Sequence, residues 1–251
     1  MSSSQGDQTE VKKGVIDYVI ENKSLAILLF SRIATIICGL CAALPIFSGS
    51  THPAIWYYRA HMASVGTSAL RLFEAIQTEN QPMGFNRATL TSLLSKDSCH
   101  YLIFSVMFLS ASPVTISIIP ILLFAVLHVS SFVTKFIQAC NVSIGFFKKL
   151  IDKVTSNQVF LLQVIAINEV MLMPIIIITV LTGGGNIFLP FVYYRFIFLR
   201  YSSARNPYSK MVFMHLRMSV DQLAANPKCP AMVGNLMLKM RDLVIRLCPQ
   251  Q

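Results

Sequence analysis

The chain has 251 residues, of which 54% are hydrophobic and only 13% are charged. Soluble domains are usually about 45–50% apolar and about 25% charged, so this composition excludes an ordinary soluble protein and indicates an integral membrane protein. The formal net charge is +10. In a membrane protein such an excess is explained by cytoplasmic loops and anionic lipids, and we predict no nucleic-acid partner.

The first 24 residues form a polar segment without the pattern of a cleaved signal peptide. The apolar run Leu25–Phe47 that follows is long enough to span a hydrocarbon core of about 30 Å. Arg32 lies about two turns into this run, and we expect it to snorkel to the interface and mark one end of the span. The next segment, Ile55–Ile76, mixes aromatic, apolar and charged residues, which predicts an amphipathic, half-buried helix.

The second apolar run, Tyr101–Val133, has 33 residues. A single span needs only about 20 residues, so this run is too long for one crossing. Pro113 and Pro120 lie inside it, and each proline removes a backbone donor that a helix would use. We therefore favour a hairpin that turns near Ser110–Thr115 over one long tilted helix.

The lysine-rich segment Thr134–Gln158 is predicted to be a polar cytoplasmic loop. A third span, Val159–Leu181, follows it, and three consecutive glycines then permit a turn into a shorter arm, Asn186–Leu199. Residues 195–251 contain nine Lys/Arg and two Asp/Glu, a surplus of +7. Basic segments are retained on the cytoplasmic side, so the lysine-rich loop and the tail both face the cytoplasm and an even number of crossings separates them.

These features predict an all-α, polytopic helical membrane protein with hairpin spans and C-terminal amphipathic helices. Its parts are a polar segment (1–24), a transmembrane hairpin region (25–199) and a basic cytoplasmic tail (200–251). The side of the N-terminus stays open, because Ile55–Ile76 is polar for a full span. Hairpins that keep both ends on the cytoplasmic side occupy more area in that leaflet, a wedge that favours curved membrane.

The tail contains two helical segments, which Pro207 and Pro227 separate. In the second segment apolar residues recur every three or four positions and form one stripe with basic residues at its edges. An interfacial helix has this pattern, because the stripe enters the acyl boundary while the cations reach lipid phosphates. Packing of the stripe on the protein's own surface is the alternative, and the sequence leaves both open. The predicted membrane-binding residues are Met232, Val233, Leu236, Lys239, Met240, Arg241, Leu243, Val244, Arg246 and Leu247.

Two polar residues, Asn168 and Glu169, lie inside the third span. An ionisable residue in a membrane has to be paired, protonated or hydrated. We favour an ion pair between Glu169 and Arg195, or another cation from an adjacent arm, that fixes helix packing. The alternative is a small channel or transporter subunit that uses Glu169 and Asn168. Transporters usually contain discontinuous helices in repeated halves, and we find no repeat.

The cluster Asp97-Ser98-Cys99-His100 contains residue types that could form a nucleophile and a base. A helix start explains it better, with Asp97 or Ser98 capping exposed amides where the chain enters the membrane. We predict no enzymatic activity, no cofactor and no metal.

Several motifs resemble those of a known family. They are Asp97, Ser98, Cys99, His100 and Tyr101; Asn168 with Glu169; Tyr193, Tyr194 and Arg195; Arg200 and Tyr201; and Arg205, Asn206, Pro207 and Tyr208. Together they are similar to the transmembrane protein 33 family, also called the Krüppel homologue 2 family, which includes a yeast pore membrane protein.

This resemblance implies residence in the endoplasmic reticulum and nuclear envelope and no enzymatic activity. It also implies association with reticulon-type membrane proteins, a part in tubule organisation and nuclear pore distribution, and, in animals, modulation of the unfolded-protein response. In the yeast relative, C-terminal amphipathic helices are associated with curved membrane and with an import receptor. By resemblance, that role would fall on Met232–Leu247 here.

Overall fold

The computed structural model describes residues 23–47, 49, 51–78, 87–140, 145–203, 206–227 and 229–247. All regular structure in these residues is helical, which confirms the predicted all-α class. Three helical segments, at 23–43, 115–140 and 158–181, are long and apolar enough to cross a membrane. The α-helices are α1 (Lys23–Ala43), α2 (Pro53–Thr78), α3 (Arg87–Leu94), α4 (Asp97–Leu109), α5 (Ile118–Cys140), α6 (Gly145–Ser156), α7 (Gln158–Leu181), α8 (Leu189–Ser202), α9 (Pro207–Ala224) and α10 (Ala231–Leu247).

The first two helices, α1 and α2, pack side by side and are joined by residues 44–52. Small polar residues line their contact: the Ser31 hydroxyl donates to the Ala63 carbonyl at 3.1 Å and lies 2.7 Å from the Thr67 hydroxyl. Helix α2 buries one face and exposes Met62 and Phe73 on another, so it is the half-buried helix that the sequence predicts.

The second apolar run breaks where the sequence predicts, between the end of α4 at Leu109 and a 3₁₀ turn at Thr115–Ser117. The Ser110 hydroxyl donates to the Met107 carbonyl at 2.9 Å and satisfies one of the free carbonyls at the end of α4. The two arms then pack mainly on other helices. Helix α4 lies against α2 and α8, whereas α5 lies against α1 and α7.

The third hairpin consists of α7 and α8, joined by residues 182–188. Gly183 in this connection has φ = 77°, a conformation that glycine adopts without a steric penalty. Helix α8 has 14 residues. It is therefore about 21 Å long, shorter than the hydrocarbon core of about 30 Å, as expected for the short arm.

An aromatic core holds the hairpins together. The Phe104 ring lies with its centroid 4.8 Å from that of Phe108 and 5.1 Å from that of Phe196, and all three side chains are fully buried. Elsewhere a glycine permits close approach: a Cβ at Gly39 of α1 would lie 3.2 Å from side-chain atoms of Ile118 and Leu122. Helices α1 and α5 can meet at this point only because the side chain is absent.

The connections within the three hairpins lie at one end of the bundle, which we call the turn end. The Tyr58 hydroxyl donates to the Ala111 carbonyl at 3.2 Å, and the Tyr57 hydroxyl lies 3.1 Å from that of Ser117. Asn186 lines the same depression as Ala111. The opposite end, where α4 begins and α8 ends, we call the basic end. Helices α3, α6, α9 and α10 are all connected to the bundle at the basic end.

The predicted loop at Thr134–Gln158 is wrong. Helix α5 continues to Cys140, and Gly145–Ser156 forms α6. Apolar residues at 147, 150, 151 and 154 recur at helical spacing, with lysines between them, so the segment can be an amphipathic helix despite its charge. The loop was predicted from the lysine content alone, without regard to this helical periodicity.

Candidate functional site: a buried ion-pair network and an exposed tail helix

A buried carboxylate lies at the centre of the bundle's polar network. Glu169 on α7 is only 1% exposed. The Tyr101 hydroxyl donates to its Oε1 at 2.5 Å, and Arg200 Nε donates to its Oε2 at 3.0 Å. Both carboxylate oxygens therefore accept a hydrogen bond from the protein.

The cation of this network is Arg200, at the end of α8, with 3% exposure. Its Nη1 donates to Asp97 Oδ1 at 2.9 Å. Its guanidinium carbon also lies 5.2 Å from the centroid of the Tyr101 ring, within cation–π range. A single planar guanidinium with several donors thus connects α4, α7 and α8.

A second tyrosine completes the network. The Tyr193 hydroxyl of α8 donates to the backbone carbonyl of Glu169 at 2.7 Å, and its ring is fully buried. Since the Glu169 carboxylate is fully engaged, the geometry favours a role in fixing helix packing over an ion or proton path.

The sequence left the partner of Glu169 open between Arg195 and another cation, and the structure identifies Arg200. Arg195 is exposed on a different face of α8. The sequence contained a signal for this pairing, because residues equally far from a hairpin turn lie at the same level of its two arms. The α7–α8 connection is centred on Gly185, sixteen residues after Glu169, and position 201 lies sixteen residues beyond Gly185. Counting outward from the turn ends one residue past Arg200 and six past Arg195, so it would have favoured Arg200. The carbonyl oxygen of the Asn168 side chain is buried and has no hydrogen-bond partner among the described residues.

The residues 97–101 begin α4, but the capping prediction is wrong. Lys96 occupies the N-cap position, and Asp97 lies one residue later in the first turn. Arg200 attracts the Asp97 carboxylate away from the helix amides. His100 Nε2 donates to the Leu94 carbonyl at 2.6 Å and ties α3 to α4, while Cys99 is half-buried and Ser98 lines a neighbouring cavity. In the described part of the chain no group of three or more His, Cys, Asp or Glu could hold a metal ion.

The motif after Arg200 forms the corner between α8 and α9. Pro207 is the first residue of α9, where its missing N–H costs nothing. The Asn206 side chain donates to the Ser209 hydroxyl at 2.7 Å, and Tyr208 packs against a small cluster on α7. Tyr201 contacts Phe213 edge to face, with centroids 5.5 Å apart. Tyr194 lies over Phe198, on the same helix. Arg205 lies outside the described residues.

Helix α9 is docked on the bundle. Val212 is buried against Ala166 and Val170 of α7. Helix α10 in turn packs against α9, where Gly234 allows close approach because a Cβ there would lie 3.3 Å from the Ala224 carbonyl oxygen.

An ion pair orients α10. Arg241 donates to Asp221 on α9 and, at 2.7 Å, to its neighbour Asp242. Hydrogen bonds to Asp242 and Asp221 raise the pKa of Arg241. Arg241, which was predicted to reach lipid phosphates, thus faces α9 instead.

The apolar stripe of α10 is directed away from α9. Met232 is 86% exposed, Leu236 59% and Leu243 58%. Met240, Val233 and Val244 are exposed as well, and so are the flanking cations Lys239 and Arg246. The side chain of Leu247 lies outside the described residues. Most of the stripe is therefore not covered by the described residues, although Met240 and Val244 at its edge also line a groove shared with α9.

Long apolar helices, short returning arms and a buried intramembrane ion pair define a multi-pass helical membrane protein. The chain belongs to the family described as transmembrane protein 33/nucleoporin POM33, which it matches over residues 7–250. No catalytic domain is identified by this match.

Relatives from several animals match most of this chain. The chain is 38% identical to transmembrane protein 33 of Homo sapiens over 237 residues, 94% of each protein. It is 33% identical to the transmembrane protein 33 homolog of Caenorhabditis elegans over 236 residues, 94% of this chain and 85% of the relative. Krueppel homolog 2 of Drosophila melanogaster is 30% identical over 220 residues, 87% of this chain and 76% of the relative. No solved structure matches.

Proposed function

We propose that this protein is a non-enzymatic membrane-shaping factor of the endoplasmic reticulum and nuclear envelope. Its hairpins would form a wedge in the cytoplasmic leaflet, and α10 would bind the surface of that leaflet beside the wedge. The exposed apolar stripe of α10 is the observation that carries this proposal.

Charge distribution supports the orientation. The connections at the turn end, residues 44–52, 110–117 and 182–188, contain no Lys, Arg, Asp or Glu. The basic end carries the lysines of α6 and the cations of the tail. Since Lys and Arg are retained in the cytoplasm, the basic end would face the cytoplasm and the turn end the lumen. The start of α1 would then be cytoplasmic too.

Shape supports the wedge. Within the described ranges the turn end has only short connections, whereas four additional helices, α3, α6, α9 and α10, lie at the basic end. A protein that is wider on its cytoplasmic side fits best where that leaflet is expanded, as on the outer surface of a tubule.

The stripe of α10 supports binding to the membrane surface. Each large apolar side chain gains about 1.5–3 kcal/mol when it moves from water into an apolar phase. Four such residues, Met232, Leu236, Met240 and Leu243, lie uncovered on one face, and Lys239 and Arg246 lie beside them. Anionic lipid would satisfy both features.

Family membership supports the choice of location and partners. The family description includes a nucleoporin. We therefore propose reticulon-type membrane proteins and nuclear pore or import factors as its partners. A part in the unfolded-protein response, in animals, belongs to the same proposal.

The proposal can be tested by curvature sorting. Fluorescently labelled full-length protein is reconstituted into giant vesicles with anionic lipid, and narrow membrane tubes are pulled from them. We expect enrichment of the wild-type protein in the tube relative to the vesicle. The double variant Leu236→Asp, Leu243→Asp should lose most of this enrichment, because two carboxylates in the stripe oppose insertion.

The matched control is Asn235→Asp with Gln222→Glu, which adds the same two negative charges at exposed polar positions of α10 and α9. It should sort like the wild type. Equal densities of wild-type protein in tube and vesicle would contradict the proposal, as would equal losses in the two double variants.

A further inference from the structure

A partly polar cavity adjoins the Glu169–Arg200 network, from which Tyr101 and Asp97 contribute to its lining. It has a volume of about 400 Å³ and is lined by α1, α2, α5 and the beginning of α4. Small-molecule sites in proteins commonly measure about 300–1,000 Å³. The cavity is therefore large enough for a phosphate group and the atoms attached to it.

Arg32 of α1 lines this cavity. The prediction that its side chain snorkels to an interface is therefore wrong. The residue is 7% exposed, and its Nε is buried with no hydrogen-bond partner among the described residues. An arginine held this way carries a large desolvation cost, and among the described residues the attraction of Glu74 offsets it only in part. Because Arg32 lines the cavity, an anion bound there would offset this cost.

The other charged groups around the cavity are mostly cationic. Arg71 of α2 also lines it, and its Nη1 donates to His128 Nε2 at 3.1 Å. Because a guanidinium can only donate, that histidine nitrogen accepts and the imidazole is neutral. Lys96 adds a third cation to the lining.

Among the described residues, carboxylates cancel only part of the charge of Arg32 and Arg71. Asp97 also lines the cavity, but its Oδ1 accepts from Arg200. Glu74 does not line the cavity, but its carboxylate attracts the Arg32 guanidinium. The repulsion between Arg71 and Arg32 is larger than this attraction. Hydroxyls of Ser64 and Thr67 supply further hydrogen-bonding groups.

We propose that this cavity binds a phosphate-bearing anion, with Arg32 and Arg71 as its principal ligands. Planar guanidinium groups match phosphate oxygens in bidentate geometry, so two of them facing one cavity favour phosphate over a simple halide. The ligand could be the headgroup of an anionic phospholipid or a free phosphate. Ile121 and Phe124 also line the cavity, and they would contact the glycerol and acyl part of a lipid.

Ligand-induced thermal stabilisation of the full-length protein in detergent tests this site. Three probes are compared: dioctanoyl phosphatidic acid, dioctanoylglycerol with the same acyl chains and no phosphate, and inorganic phosphate. We expect the phosphatidic acid to raise the melting temperature in a saturable way, and dioctanoylglycerol to have no such effect. Stabilisation by inorganic phosphate at similar concentrations would assign the site to free phosphate, and its absence would assign it to the lipid headgroup.

Variants of the two arginines test whether the ligand binds in the cavity. Arg32→Gln and, separately, Arg71→Gln should weaken the apparent affinity at least tenfold, since each removes one charged ligand. The matched control Arg59→Gln removes an exposed arginine of α2 that stacks on Trp56 outside the cavity, and it should bind like the wild type. Equal stabilisation by the two lipids, no stabilisation by any probe, or equal affinity in Arg71→Gln and Arg59→Gln would overturn the proposal. If Arg32→Gln does not fold, Arg71→Gln and the wild-type probe series still decide the matter.

Discussion

Among the described residues, two arginines are buried in this bundle, and their surroundings are opposite. Arg200 is 3% exposed and donates to Glu169 and Asp97. Arg32 is 7% exposed, and its Nε donates to none of the described residues. The first arginine contributes to packing because its charge is neutralised within the fold. The second has no carboxylate hydrogen-bonded to it among the described residues, and this difference separates a structural ion pair from a candidate binding site.

Breaking the Arg200 pair should have the largest effect. Glu169→Leu leaves Arg200 buried with the half-exposed Asp97 as its remaining carboxylate partner. Removing one member of a buried pair costs about 3–5 kcal/mol. For a chain of this size that corresponds to a fall of roughly 10 °C in the melting temperature in detergent.

The double variant Glu169→Leu, Arg200→Leu should recover much of this loss, because no buried charge remains. Arg195→Leu, on the exposed face of α8, is the control and should change the melting temperature little. A double variant that is as unstable as the sum of its single variants would show that the two residues act independently.

Removing the Arg32 charge should stabilise the protein rather than destabilise it. In Arg32→Met the side chain keeps much of its length and loses a charge that is only partly compensated, so we expect the ligand-free protein to gain about 1–2 kcal/mol. The melting temperature in detergent without added phosphate would then rise by about 2–8 °C. A clear fall would mean that Arg32 already has a stabilising partner within the protein.

Tyr193→Phe should have a smaller effect. It removes one neutral hydrogen bond to the Glu169 carbonyl while keeping the ring in the aromatic core, and such a bond contributes about 1 kcal/mol. Thermal unfolding in detergent measures this loss of stability. The control is Phe198→Tyr, which adds a hydroxyl on the same helix. A loss as large as that of Glu169→Leu would show that Tyr193 positions the whole network.

Asp97→Asn should have the smallest effect. The Asp97 side chain is 42% exposed, so solvent screens its interaction with Arg200, and Asn can still accept a hydrogen bond. We expect a loss below about 1 kcal/mol by the same assay. A loss near that of Glu169→Leu would place the main anchor of Arg200 on α4 rather than on α7.

The sequence predicts the helical hairpins well because length and proline position determine them. The break after Leu109 and the short α8 arm follow from hydrophobic length, backbone chemistry and the glycines at 183–185. Side-chain pairing between distant helices could not be predicted in the same way, because it depends on helix rotation. The partner of Glu169 and the burial of Arg32 both depend on which face of a helix meets its neighbour. The loop prediction at Thr134–Gln158 failed for a different reason, since a high charge was given more weight than helical periodicity.

The orientation of the hairpins is the central claim, because the wedge and the exposed tail act together only if the basic end is cytoplasmic. Glycosylation mapping in microsomes tests it directly. A hydrophilic insert with an Asn-Ser-Thr acceptor is placed between residues 44 and 52 or, in a second variant, after residue 247. We predict modification of the first insert only, with the native Asn141-Val142-Ser143 acceptor left unmodified. Modification of Asn141 or of the C-terminal insert would place the basic end in the lumen and contradict the account.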